Sequence, residues 1–121
     1  MMHKSRTWCV APVATSEELA EKLAEHTWCG CTGFQIGNYL FLNDATSGDG
    51  AQEYAILKKP AAPGAPHIQI ESITASWMTR ERLLEFISRT LQGENDDVEW
   101  AIPFAPDLES SEQHGRCHFC A

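Results

Sequence analysis

Two close pairs of cysteines are the residues of this chain whose types and spacing point to specific chemistry. Cys29 and Cys31 flank Gly30, and Cys117 and Cys120 form a C-x-x-C pair near the other end of the sequence. Zinc prefers four soft or borderline ligands in a tetrahedron, and two short cysteine pairs brought together by a fold can supply them. The sequence therefore predicts a zinc site made of these four cysteines, which requires the C-terminal tail to return to the loop after the first helix.

Other states of the same cysteines stay open. The C-x-C spacing of the first pair is shorter than the usual zinc spacing, and the total of five cysteines is odd. The sulfurs could instead be reduced, joined in disulfides or, for Cys117 and Cys120, redox-active, although a redox pair normally precedes a helix. Cys9 lies alone in an apolar run and is expected to be a core residue. Three nearby histidines could replace a thiolate: His26, His114 and His118.

A group of oxygen-bearing side chains lies on the glycine-containing loop that follows the third predicted strand. Asp44, Asp49 and Glu53 could hold a hard cation or perform acid–base chemistry with a histidine such as His67. The spacing does not match a calcium-binding loop, and turn-stabilising hydrogen bonds explain the two aspartates equally well. A small hydrolase-like enzyme is therefore an alternative hypothesis. Two hydroxyl residues complete its candidate set: Thr46 and Ser47.

The chain is acidic, with 17 acidic against 9 basic residues and a formal net charge of −8. This balance argues against direct binding of nucleic acid or of an anionic membrane, since both need a basic surface. The segment between Arg89 and Arg116 contains acids and no Lys or Arg. Such a segment predicts a solvated face, a docking surface for a basic partner, or a polyanion mimic that blocks a nucleic-acid-binding protein. Its acids are Glu94, Asp96, Asp97, Glu99, Asp107, Glu109 and Glu112.

The sequence favours a cytoplasmic location. No apolar run approaches the roughly 18 residues that a membrane span needs. The N-terminal segment is basic, but the apolar stretch that follows it is short for a secretory signal and Pro12 interrupts it. In a reducing compartment, paired cysteines favour metal ligation or free thiols over disulfides.

The pattern of apolar residues predicts the elements that would position these groups. Thr15 and Thr79 are expected to cap helices over Ser16–His26 and Thr79–Gln92, and Gly37-Asn38 is expected to form a hairpin turn. The predicted strands are Thr7–Ala11, the two arms of a hairpin over 33–43, Glu53–Leu57, His67–Thr74 and Val98–Ile102. The order is β-α-β-β-β-β-α-β, which predicts an α+β fold with an antiparallel sheet of five to six strands and two helices packed on one face.

The whole chain, 1–121, is expected to form a single domain in which 103–121 is a partly irregular tail. One or two helical turns are predicted over Asp107–Glu112. The leading functional hypothesis is a non-catalytic protein-interaction module, zinc-stabilised through the cysteine pairs. It would bind a protein partner, or itself as a homodimer, through an edge strand or an exposed tryptophan. The tryptophans are Trp8, Trp28, Trp77 and Trp100.

Overall fold

The computed structural model describes residues 7–25, 31–44, 52–60, 62–94, 96, 102–104 and 107–110. The strands are β1 (Thr7–Pro12), β2 (Thr32–Ile36), β3 (Tyr39–Asn43), β4 (Glu53–Lys58), β5 (His67–Thr74), β6 (Ile102–Phe104) and β7 (Asp107–Ser110). The helices are α1 (Ser16–Ala24) and α2 (Arg80–Leu91), and a 3-10 turn, Ala75–Trp77, follows β5. The strands form one sheet in the order β6-β5-β4-β3-β2-β1-β7. The α+β class is confirmed.

Both helices begin at the threonines that the sequence indicates. The Thr15 hydroxyl accepts the N–H of Glu18 at 3.1 Å, and the Glu18 carboxylate reaches back to accept the N–H of Ala14 at 3.2 Å. The first bond satisfies an amide that the first turn of a helix leaves without a partner, and the second ties the residue before the cap to the same turn. The Thr79 hydroxyl accepts the N–H of the third residue of α2 at 3.2 Å. Gly93, just beyond α2, has a φ of +80°, as a C-terminal glycine cap requires.

The predicted all-antiparallel pairing is wrong at β1. This strand lies between β2 and β7 and is parallel to both. α1 separates β1 from β2 along the chain, and a helical crossover is the usual way to bring two consecutive strands together in parallel. The rule that tight turns give antiparallel pairs applies from β2 to β5, where the observed ladders are antiparallel.

The C-terminal elements also differ from the prediction. Asp107–Ser110 forms the parallel edge strand β7 where helical turns were expected. Of the last predicted strand, Val98–Ile102, residues 98–101 lie outside the described part of the chain, and Ile102 begins β6, which continues through Pro103 to Phe104. A proline is tolerated there since β6 is an edge strand and has no neighbour on its outer side among the described strands.

The sheet has an apolar cluster on each face. The helix-covered face contains the larger cluster, in which side chains of both helices pack on Phe34, Phe41 and Ile56. The opposite face has a smaller buried cluster whose members alternate with the first along the strands: Trp8, Val10, Leu40, Leu42 and Leu57. β3 contributes to both clusters and is buried along its whole length, as its continuous apolar run predicts.

Two apolar residues, one in β5 and one in α2, are exposed although the apolar periodicity of their elements predicts that they face the core. Ile68 is 40% exposed and Leu91 is 37% exposed. In β5 the register shifts opposite Ile56 and Leu57, which pair with Glu71 and Gln69, so Ile70 is an extra residue in the ladder. A bulge of this kind reverses the alternation of side chains, and it directs both Ile70 and Ile73 into the helix-covered cluster.

Candidate functional site

The described cysteines are disulfide-bonded. Cys9 and Cys31 both lie in disulfides, and there is no free cysteine among the described residues. They lie on neighbouring segments, because the Cys9 N–H donates to the Cys31 carbonyl at 2.7 Å beside the parallel pair β1–β2. Cys9 is 2% exposed, which confirms its predicted place in the core, although its position alone in an apolar run does not indicate a disulfide.

These disulfides bear on the zinc hypothesis through Cys31. Zinc is bound by thiolates, and a sulfur that is part of a disulfide is not a thiolate. The other three predicted ligands, Cys29, Cys117 and Cys120, lie outside the described residues. Within the part of the chain that the structure describes, no three His, Cys, Asp or Glu side chains cluster closely enough to hold a metal ion. The four-cysteine zinc site stays a prediction.

The acidic loop that the enzyme hypothesis depends on borders a small cavity. Asp44 and Glu53 line a cavity of about 140 Å³ beside the β4–β5 ladder, with Ser72 and Thr74 across from them. The Thr74 hydroxyl donates to the Glu53 carboxylate at 3.5 Å, and the Asp44 N–H donates to the Glu53 carbonyl at 2.7 Å. Asp49, Thr46 and Ser47 lie outside the described residues.

The histidine that this chemistry would need lies elsewhere. Glu53 pairs with Thr74 at one end of β5, whereas His67 begins the opposite end and pairs with Phe104. His67 and Thr74 are seven residue steps apart along the strand, which is roughly 23 Å at the usual rise per residue. Burial, with a smaller contribution from the charge of Lys59, lowers the pKa of His67. The structure therefore brings Asp44 and Glu53 together and leaves His67 apart from them.

A buried hydrogen-bonded cluster closes the same end of the sheet as Glu53. The side-chain amide of Asn43 donates to Gln52 Oε1 at 2.8 Å, and the indole of Trp8 donates to the Asn43 carbonyl at 2.8 Å. The Gln52 N–H in turn donates to the Ser76 hydroxyl at 2.8 Å. Asn43 is fully buried and Gln52 is 7% exposed. We call Trp8, Asn43, Gln52 and Ser76 the neutral cluster, because none of these side chains is charged. The sequence suggests only a loop boundary at Asn43.

Tyr54 lies beside the neutral cluster and opposite Asn43 in the β3–β4 ladder. Its hydroxyl and the Asn43 Oδ1 atom are buried and have no hydrogen-bond partner among the described residues. Burial raises the pKa of the Tyr54 phenol strongly, although the neighbouring Asn43 amide opposes the shift. The phenol is therefore neutral across the physiological range and is poorly suited to act as a general base.

A charged cluster closes the other end of the same two strands. Asp96 accepts hydrogen bonds from the Tyr39 hydroxyl at 3.0 Å and from Lys58 Nζ at 2.5 Å. Burial, the hydrogen bond to Asp96 and its charge raise the pKa of Tyr39. Asp96 thereby fastens the turn after α2 to the ends of β3 and β4. We call Tyr39, Lys58 and Asp96 the charged cluster.

The described acids after Arg89 do not form a free row of carboxylates. Glu94 accepts from Arg89 Nε at 3.2 Å, and Asp96 is bound to Lys58. The strand β7 includes Asp107 and Glu109, whose side chains lie outside the described part of the structure, as do Asp97, Glu99 and Glu112. The polyanion hypothesis therefore has no support from the acids that are described with their side chains.

Trp77 is the most exposed large apolar side chain among the described residues, with 77% of its surface accessible. Two hydrogen bonds to Gln52 fix the turn that holds it. The Ala75 N–H donates to the Gln52 carbonyl at 2.8 Å, Ala75 itself is fully buried, and Ser76 accepts from the Gln52 N–H. The backbone of a fixed turn thus presents a tryptophan that the sequence could not distinguish from the others.

Comparison with known proteins gives no relative for this chain. No family model, no curated protein and no solved structure matches it. Among the described helices, none has the length and apolar character needed to cross a bilayer.

Proposed function

We propose that this chain is a non-catalytic protein-binding module whose contact surface is centred on Trp77. The observation that carries the proposal is the 77% exposure of this indole. Tryptophan is among the residues that contribute most to binding at protein interfaces. Because the turn beneath Trp77 is fixed by buried contacts, little ordering of the backbone opposes binding.

The enzyme alternative has weaker support. Its cavity contains two carboxylates and two hydroxyls, but His67 lies at the far end of β5. Tyr54, which also borders this cavity, has its pKa raised away from the range of a useful acid or base at neutral pH.

Trp77 is a better contact candidate than the part of β5 that continues beyond its pairing with β6, which ends at Gln69. Along β5, the carboxylate of Glu71 accepts the N–H of Ser72 at 3.0 Å, so this amide already has a partner. A charged side chain at a strand edge discourages the pairing of a further strand. A homodimer formed through Trp77 fits these observations better than one formed through β5.

A photo-crosslinking amino acid at position 77 tests the proposed function. The matched control is the same amino acid at position 68, where the native isoleucine is 40% exposed on β5. We expect a discrete covalent adduct from position 77 in the native cells and none from position 68. The captured protein, once purified, should lose its binding to the Trp77→Ala variant. Absence of an adduct at position 77, or equal adducts at both positions, would contradict the proposal.

The zinc-stabilised form of this module is a proposal for the reduced protein, in which Cys31 would be a thiolate. The test is metal content after reduction and exposure to zinc, with Cys117→Ser as the variant that removes one predicted ligand. Stoichiometric zinc in the reduced wild type and its loss in Cys117→Ser would support the site. Reduced protein that retains no zinc would remove it.

Disulfides at Cys9 and Cys31 favour an oxidising compartment over the cytoplasm that the sequence suggests, because cytosolic thiols are kept reduced. Alkylation of free thiols in intact native cells distinguishes the two locations. Protection of both cysteines supports an oxidising compartment, and alkylation of both supports the cytoplasm.

A further inference from the structure

The two edge strands of the sheet belong to one short stretch of chain. β6 and β7 lie at opposite ends of the strand order, yet β6 ends at Phe104 and β7 begins at Asp107. In a flat sheet, six strand spacings would separate these edges by about 29 Å. The three Cα–Cα steps from Phe104 to Asp107 span at most about 11 Å. The sheet must therefore curve until its two edges meet.

Strand direction and stagger agree with a sheet that closes on itself. The ladders from β1 to β5 give these two strands opposite directions, so β6, antiparallel to β5, runs the same way as β7, parallel to β1. Phe104 pairs with His67 and Asp107 pairs with Thr7, the first residues of β5 and β1. Such first residues lie toward opposite ends of the sheet, and closure requires a stagger of this kind. We call β6 and β7 together the strap.

The smaller apolar cluster lies on the inner face of the closed sheet. It contains no helical residue among those described, yet each of its buried members is at most 7% exposed. Val10 of β1 and Leu42 of β3 flank Gly33 of β2, where a Cβ would lie 3.1 Å from Val10 Cγ2 and 2.8 Å from Leu42 Cδ2. A glycine at such a close approach is typical of a tightly bent strand. The helices accordingly cover the outer face.

We propose that the strap opens as one unit while the helices and β2–β5 stay folded. Three residue pairs join β6 to β5 and four join β7 to β1, whereas five join β3 to β4. Pro103, in the middle of β6, has no N–H to donate to its ladder. Pro103 and Leu108 are both exposed. A segment with short ladders and exposed side chains opens at a lower free energy than a buried strand.

Both halves of the strap should open together because closure is one constraint on the whole sheet. When either half detaches, nothing holds the sheet at the curvature that brings the other half to its partner strand. Opening then frees the edge of β5 at His67–Gln69 and the edge of β1 at Thr7–Val10 at the same time. A free strand edge can pair with an extended segment of another chain. The strap thus controls whether these edges are available.

An engineered disulfide tests the closure. Ile68→Cys with Pro103→Cys links two exposed residues that are partners in the β5–β6 ladder. The Cα atoms of antiparallel partners are about 4.5–5.5 Å apart, which a disulfide can bridge. We expect the full oxidised chain to form this link within a single chain of about 13.5 kDa. A covalent dimer exceeding that of the unlinked control, Ile68→Ser with Pro103→Ser, would show that the strap pairs with another copy and would overturn the proposal.

Amide hydrogen exchange tests whether the strap opens as one unit. In the unlinked serine control, the strap should exchange at least about tenfold faster than β3. The disulfide holds β6 alone, yet it should slow exchange of β7 about tenfold, because the two halves open together. A matched disulfide between Glu53→Cys and Thr74→Cys joins β4 to β5 away from the strap and should leave exchange of β7 unchanged.

Three results of the exchange experiment would overturn the proposal. They are a strap that exchanges as slowly as β3, unchanged exchange of β7 when β6 is linked, and equal effects of the two disulfides on β7. None of them bears on the proposed function, because photo-crosslinking at position 77 reports on a turn outside the strap. The two proposals can therefore fail separately.

Discussion

The two ends of the β3–β4 pair are closed by clusters of opposite character. At one end the neutral cluster is buried and contains no ionised group. At the other end the charged cluster is part-exposed, with the Lys58 side chain 40% accessible and that of Asp96 20% accessible. A buried hydrogen bond is costly to break because the abandoned partner has no water to bind, whereas an exposed ion pair contributes little and is screened by salt. The neutral end should therefore contribute more to stability.

The largest expected effect is reduction of the disulfides, which lie at the neutral end. Cys9 is the parallel partner of Thr32, and the register of β2 with β3 begins at the next residue, where Gly33 pairs with Leu42 beside Asn43. Loss of a native disulfide typically costs about 2–4 kcal/mol through the greater entropy of the unfolded chain. Urea unfolding with and without a reductant measures the difference, and identical midpoints would show that the disulfides do not stabilise the fold.

Asn43→Ala should have the next largest effect, a loss of about 2–3 kcal/mol in the free energy of unfolding. The substitution removes the donor to Gln52 and leaves a buried acceptor without a partner, and it also opens a small cavity. Asp44→Ala, at the adjacent half-buried position, is the control. It should lower the free energy of unfolding by less than half as much. A loss below 1 kcal/mol for Asn43→Ala would mean that the neutral cluster is not a main source of stability.

The same substitution made at each end sharpens the comparison. Tyr39→Phe should cost about 1 kcal/mol at neutral pH because it removes the hydrogen bond to Asp96. Tyr54→Phe should cost almost nothing there, since its hydroxyl has no partner. Equal losses in the two variants at pH 7 would contradict the assignment of hydrogen bonds.

At alkaline pH Tyr54→Phe should become the variant with the larger effect, and this effect should stabilise the fold relative to the wild type. The folded-state pKa of each phenol is raised above 10.0, the value expected in the unfolded chain. The stability that depends on a neutral phenol is therefore full below pH 10 and is lost as the pH rises above it. The shift is larger for Tyr54, so Tyr54→Phe should remove most of the alkaline loss and Tyr39→Phe a smaller part. Unfolding midpoints between pH 8 and 11 measure both.

Lys58→Met should have the smallest effect, about 0.5 kcal/mol, since this ion pair is part-exposed. The loss should shrink further at 1 M salt, where the Debye length is about 3 Å. A salt-independent loss above 2 kcal/mol would show that the charged cluster behaves as a buried network, and the contrast between the two ends would disappear.

The helices, the hairpin and β5 could be predicted from the sequence because their signals are local. Thr15 and Thr79 cap helices, Gly37 adopts a φ of +58° in the hairpin turn, and the bounds of β5 match its alternating pattern. The parallel pairing of β1 could not be predicted in the same way. It depends on which strand α1 returns to and on a partner, β7, about 100 residues away in the sequence.

The candidate site was harder to predict for a related reason. Exposure of Trp77 depends on where the turn after β5 is fastened, and Gln52 does this from a distant part of the sequence. The disulfides of Cys9 and Cys31 depend on contacts that residue spacing does not encode. Asp44 and Glu53 were correctly grouped because they follow and begin strands that pair directly with one another.

The position of β1 between β2 and β7 has a consequence for how the protein is made. Residues 7–10 are synthesised 100 residues before their partners at 107–110. Until synthesis has passed residue 110, the edge of β1 that later pairs with β7 can pair with strands of other chains. Contacts so distant in sequence also form slowly, because the chain loses the entropy of a long loop before the contacts can stabilise it. We therefore expect nascent chains that stop short of β7 to need protection from aggregation, even though their helices and hairpin can already form.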